Sequence, residues 1–141
     1  MIAQNPLDPF RQECKMVLSE AIKITLSEIK TPSIRLKRTP NIDFGQLATS
    51  LCFELSKKLN QKPLVLAEHL VESIDKSSFD LIDKVAPAGA GYINFYVNFA
   101  KFSALTLESI KLLDEEYGFV KTAEPKKIIV EHTSVNPLHP I

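Results

Sequence analysis

The stretch Pro87-Ala88-Gly89-Ala90-Gly91-Tyr92-Ile93-Asn94-Phe95-Tyr96-Val97-Asn98 decides the fold. Its second half alternates. Ile93, Phe95 and Val97 fall on one side; Tyr92, Asn94, Tyr96 and Asn98 fall on the other. A period of two marks a strand with one buried face. Pro87 to Ala90 is a turn-forming stretch, so residues 79–86 and 91–98 form an expected β-hairpin.

Helical patterns surround this hairpin. Asn98 is placed to cap a helix over 99–116, with Phe102, Leu105, Ser109 and Leu113 in line, and Gly118 closes it. Upstream, Pro63 opens a helix over 63–75, with Leu64, Ala67, Leu70, Val71 and Ile74 on one side. Before it, Leu47, Leu51, Leu55 and Leu59 recur every fourth residue, which predicts a helix over 44–59. Asp43 and Gln46 have capping-box spacing, and Asn60 can close that helix. Ile34 and Leu36 alternate with Arg35 and Lys37, so 33–37 is expected to be a short strand. A first helix is expected over 8–30, with Asp8 as N-cap, Pro9 at the first helical position, and Phe10, Cys14, Val17, Ala21, Ile22 and Ile29 as its apolar stripe. Thr31-Pro32 ends it. The result is an α+β domain, a small and mostly antiparallel sheet with helices packed on one face.

Composition narrows the class. The chain has 141 residues, 45% hydrophobic and 24% charged, which suits one globular domain rather than disorder. No apolar run approaches the roughly 18 residues of a membrane span. The first residues lack the basic and apolar regions of a signal peptide, so a cytoplasmic location is expected. Seventeen basic residues balance seventeen acidic ones, so any binding of nucleic acid must use a local patch. Cys14 and Cys52 sit in helical apolar patterns and are expected to be buried thiols. His69, His132 and His139 lack the spacing of a zinc helix, and no metal site is expected. There is no Gly-rich phosphate loop and no nucleophile elbow, and no catalytic residue is expected in these 141 positions.

Beyond residue 119 the pattern changes. Residues 120–126 are polar, contain Glu124-Pro125, and are expected to be a linker. Lys127-Ile128-Ile129-Val130 is a short continuous apolar run, the signature of a strand buried on both faces of a parallel sheet. Such a strand needs neighbours, so the chain is expected to be the front piece of a longer protein. Residues 1–119 then form one domain, and 127–141 the start of another.

The string Ile129-Val130-Glu131-His132-Thr133-Ser134-Val135-Asn136-Pro137 closely resembles the segment that opens the catalytic domain of arginyl-tRNA synthetases. Phe44-Gly45-Gln46-Leu47-Ala48-Thr49 and Gly91-Tyr92-Ile93-Asn94-Phe95 resemble two motifs of that family's N-terminal additional domain, in the same order. The resemblance covers nearly the whole chain. It implies a class I synthetase that activates L-arginine with ATP and Mg²⁺ and charges arginine tRNA. It places the first strand of a Rossmann-type catalytic domain at 127–141. The chain then ends just before the His-Ile-Gly-His signature, so this piece alone should bind no cofactor and activate no arginine. Glu131 is expected to face the arginine guanidinium, and Ser134 and Asn136 its α-amino and carboxylate groups. Tyr92 and Asn94 are expected to read a D-loop base at the tRNA elbow. Leu138-His139 stands where many members have Asn-Lys. A monomer with no membrane partner is expected.

The residues support a nucleic-acid surface independently. Tyr92, Asn94 and Tyr96 stand about 7 Å apart along one strand face. Aromatic rings stack unpaired bases, and an amide can bond a base edge. The same side chains also suit a strand's plain outer face, or one covered by a helix. Lys30, Arg35, Lys37 and Arg38 form the densest basic stretch free of acids. Arg35 and Lys37 share one face and could meet phosphates; such charges also keep a bare sheet edge from pairing with another chain. A different class stays open: a protein-interaction module of a synthetase complex, marked by an exposed apolar patch.

Overall fold

The computed structural model describes residues 2–27, 32–119, 127 and 129. Helix α1 spans Leu7–Thr25. Strands β1 (Lys37–Arg38) and β2 (Leu47–Thr49) flank a 3₁₀ turn at Ile42–Phe44. Helices α2 (Leu51–Leu59) and α3 (Pro63–Glu72) follow. The hairpin β3 (Ile82–Ala88) and β4 (Tyr92–Val97) leads into α4 (Phe99–Leu113). All pairings are antiparallel, in the order β1-β2-β4-β3. The expected α+β sheet with its helical cover is therefore the observed one.

The core lies where the alternation of β4 puts it. Ile93, Phe95 and Val97 are buried against Phe10, Leu18, Leu55, Leu66 and Leu70 from α1, α2 and α3. Each such side chain stabilises the fold by roughly 2 kcal/mol on burial. Glu13 of α1 is also buried, and its carboxylate accepts the backbone N–H groups of Asp80, Leu81 and Ile82 at 2.7, 2.8 and 3.2 Å. That bond set fastens α1 to the start of β3.

Several elements differ from the sequence expectation. Residues 44–59 are not one helix: Leu47 and Thr49 face the core from β2, which is inserted between β1 and β4. The helical spacing of Leu47 with Leu51 is real, but pairing on two sides wins. The capping-box partners serve elsewhere. Asp43 lies inside the 3₁₀ turn, where the Asn41 side chain accepts its N–H, and Gln46 Oε1 accepts the Val97 N–H at 2.7 Å. The strand expected at 33–37 is reduced to Lys37–Arg38. Its partner β2 gives way to α2 at Leu51, so residues further upstream have nothing to pair with. Helix α1 starts at Leu7 rather than after Asp8, because Asn5 accepts from the Leu7 N–H with its side chain and from the Asp8 N–H with its backbone oxygen. It ends at Thr25 rather than at residue 30, with Leu26 already out of helical geometry; 28–31 lie outside the described residues. Helix α3 ends at Glu72 rather than 75. Pro87 and Ala88 belong to β3, an edge strand that tolerates a missing N–H, and the turn is made at 89–91. Helix α4 stops at Leu113, followed by Asp114 at φ 46°, so Gly118 closes a later turn. The Asn98 cap is as expected, accepting the Lys101 N–H at 3.1 Å. The linker at 120–126 and the strand expected in 127–141 lie outside the described residues, save Lys127 and Ile129.

Candidate nucleic-acid interface

The outer face of the sheet follows from its register. Lys37 pairs with Ala48, Ala48 with Asn94, and Asn94 with Ala86. Residues opposite each other in antiparallel strands project to the same side, so Asn94 stands in a row between two alanines. Over this row opens a cleft of ≈ 670 Å³, lined among others by Arg35, Lys37, Arg38, Phe44, Tyr92 and Asn94. The structure thus brings together four of the five residues expected to meet nucleic acid: Tyr92, Asn94, Arg35 and Lys37.

Tyr92 is 47% exposed. Its ring is braced by Phe53 of α2, edge to face, with centroids 5.0 Å apart. Gly91 positions it from behind: at φ +137° this glycine lies so near Pro63 that an added Cβ would come within 2.5 Å of the Pro63 Cβ. Asn94 is only 4% exposed, and its side chain makes no hydrogen bond among the described residues. Among the described residues only Arg11 Nε is a buried side-chain polar atom left without a partner, so the Asn94 amide atoms still meet solvent. They border the cleft, where a ligand edge can satisfy them. Arg35 and Lys37 are exposed, and among the described residues neither forms an ion pair. Arg35 precedes β1 rather than sharing a strand with Lys37, yet both reach the cleft.

Tyr96 is placed differently. It does not line the cleft. Its phenol donates to the Asp43 backbone oxygen at 3.2 Å, and the Lys84 ammonium lies 5.1 Å from its ring centroid. In its stead the cleft takes Phe44, 50% exposed, to which the sequence assigned no role. The signal was its place before Gly45. Glu54 of α2 adds one carboxylate to the lining. Glu131, Ser134 and Asn136 lie outside the described residues.

Comparison with known proteins gives the family. Residues 12–97, more than half the chain, match the model of the arginyl tRNA synthetase N terminal domain. The chain belongs to that family. Its relatives include the arginine–tRNA ligase of Thermococcus sibiricus, 39% identical over 92% of this chain and 21% of that protein. That of Methanocaldococcus jannaschii is 33% identical over 92% of this chain and 23% of its own length. The chain thus spans about a fifth of the length of these relatives. Among solved structures, the Thermus thermophilus arginyl-tRNA synthetase aligns with a TM-score of 0.55 and 22% identity, over 70% of this chain and 15% of that one. The Plasmodium falciparum enzyme aligns at 0.57 and 14%, over 67% and 17%. At these identities the structural likeness speaks for the fold. No helix among the described residues is long and apolar enough to cross a membrane.

Proposed function

We propose that this arginyl-tRNA synthetase N-terminal domain reads the elbow of arginine tRNA. Tyr92 stacks an unpaired D-loop base, Asn94 bonds its edge, and Arg35 and Lys37 meet the flanking phosphates. The observation that carries this is the cleft itself, where an exposed ring, an amide and cations that form no ion pair among the described residues converge. Stacking on one ring contributes about 1–3 kcal/mol.

The whole protein, on this reading, is a cytoplasmic arginine–tRNA ligase, active as a monomer, that uses ATP and Mg²⁺ to join L-arginine to its tRNA. Glu131, Ser134 and Asn136 would hold the amino acid. The described residues contain no group of three or more His, Cys, Asp or Glu able to hold a metal ion, and ATP and Mg²⁺ are assigned to none of them. The chain by itself is expected to show no arginine-dependent ATP–pyrophosphate exchange.

The test is binding at low salt to arginine tRNA and to a D-loop variant, with the native chain and with Tyr92→Ala plus Asn94→Ala. The native chain should prefer the native tRNA, and the double variant should lose that preference. Preference that survives the double substitution would refute the base-reading role. Equal binding to both tRNAs, abolished by salt, would reduce the domain to a phosphate contact.

One observation favours a second reading. Phe99, Leu107, Ile110 and Leu112 of α4 are exposed. These side chains would suit a protein partner, and they lie on an element that contributes nothing to the cleft.

A further inference from the structure

We infer that Phe44 is the second wall of a base clamp, so that one unpaired base is held between Phe44 and Tyr92 above the Asn94 amide. This rests on the base-reading role proposed for Tyr92 and Asn94, and adds a residue with no assigned role.

The first ground is position. Tyr92 precedes Asn94 by two residues in β4. The 3₁₀ turn that carries Phe44 is bonded to the other end of the strand: Tyr96 donates to the Asp43 oxygen, and the Gln46 N–H donates to the Phe95 oxygen at 2.9 Å. Phe44 and Tyr92 therefore rise on either side of Asn94 and border the same cleft. The alanines beside Asn94 leave the space between them unfilled. A flat aromatic ligand suits a cleft bordered by two aromatic side chains, with a floor amide that can both donate and accept.

The second ground is rigidity. The backbone at Phe44 is fixed from every side. Its N–H donates to the Asn41 oxygen at 3.1 Å, the Gly45 N–H donates to the Ile42 oxygen at 3.0 Å, and the Asn41 side chain holds the Asp43 N–H. The Thr39 hydroxyl donates to the Gly45 oxygen. Gly45, at φ +79°, sits against β4 so closely that an added Cβ would lie 2.4 Å from the Phe95 oxygen. Tyr92 has the same arrangement mirrored in sequence, with its glycine before it and Pro63 behind. Each half-exposed ring is thus adjacent to a glycine packed on backbone. A surface held in place before binding loses little freedom on binding. Phe44 contributes little to the core, since half of it faces solvent. Tyr96 does not compete for the role, because its ring and hydroxyl are engaged.

The test uses an RNA hairpin carrying the D loop of arginine tRNA, with 2-aminopurine placed at each unpaired loop position in turn. Its fluorescence falls when the base is stacked. The native chain should quench one position strongly. Phe44→Ala should weaken binding on the order of 10-fold and relieve part of the quenching, within the range of one lost base–aromatic stack. Phe44→Leu should behave like Phe44→Ala, and Phe44→Tyr should restore both signals. Unchanged urea midpoints would show that all three variants fold. Native-like binding by Phe44→Ala alongside weakened Tyr92→Ala would overturn the clamp and leave base reading intact. Full binding and quenching by Phe44→Leu would also overturn it, leaving only an apolar wall. No quenching by the native chain at any position would defeat the base-reading role, and the clamp with it.

Discussion

Gly45 and Gly91 mark the two places where a single added methyl group meets backbone or a rigid ring. Gly45→Ala faces both a clash with the Phe95 oxygen and a left-handed φ, so it should lower stability by roughly 3 kcal/mol. Gly118 is the control. It also has a positive φ, +77°, but among the described residues nothing lies within 4 Å of an added Cβ. Gly118→Ala should cost only about 1 kcal/mol. Urea denaturation of both variants measures the difference; equal losses would mean that the close packing at Gly45 contributes nothing. At this scale the sequence was legible where a rule is local. The Asn98 cap and the outward side of Tyr92 needed only neighbours in sequence. The role of Phe44 did not, since it depends on a turn folding back over β4, and no periodicity records that.

Between elements, Glu13 carries the most concentrated polar contact. Three backbone N–H groups at the entry to β3 point at one carboxylate. Glu13→Ala leaves them unpaired in a largely dry place and should destabilise the domain by about 3 kcal/mol. Glu13→Gln, which keeps one acceptor oxygen, should cost less. The pair is read from urea midpoints, and a Glu13→Ala midpoint near the native one would refute the clasp. Nothing in the α1 pattern singled out Glu13, because its partners lie far along the chain. The same limit explains β2. Leu47, Leu51 and Leu55 obey a helical period, and only the two strands on either side reveal that Leu47 is in a sheet. The hairpin and α3 were legible because a single period runs through each, while β1 was overestimated because its alternation continues past the end of its partner.

For the whole molecule, the buried thiols provide a pH signature. Burial pushes Cys52 from the ordinary 9.0 up to about 11. Cys14 is raised further, chiefly by burial and then by the Glu13 charge. Below pH 9 the thiols are protonated in both folded and unfolded chains, and this contribution to stability is fully present. As pH climbs from 9 towards 11, the unfolded chain releases its thiol protons first, so stability falls. Urea midpoints measured across that window should drop, and should drop less in Cys14→Ala plus Cys52→Ala. Identical profiles for the two chains would exclude the thiols as the cause. Iodoacetamide at pH 8 should label neither cysteine until urea is added. The expected burial of both residues was correct, as was the α+β class, because both follow from where apolar residues recur.

The strand order has a kinetic consequence. The hairpin of β3 and β4 closes a three-residue turn, whereas Ala48 reaches Asn94 only after the intervening helices α2 and α3 have folded back. Contacts between distant segments carry the larger loop-closure cost and slow the search for the native topology. The cleft floor is made of such contacts. An excised hairpin would keep Tyr92 and Asn94 but lack Lys37, Ala48 and Phe44. Ligand binding is therefore expected to lag behind hairpin formation during refolding, and its recovery would time the last step of assembly.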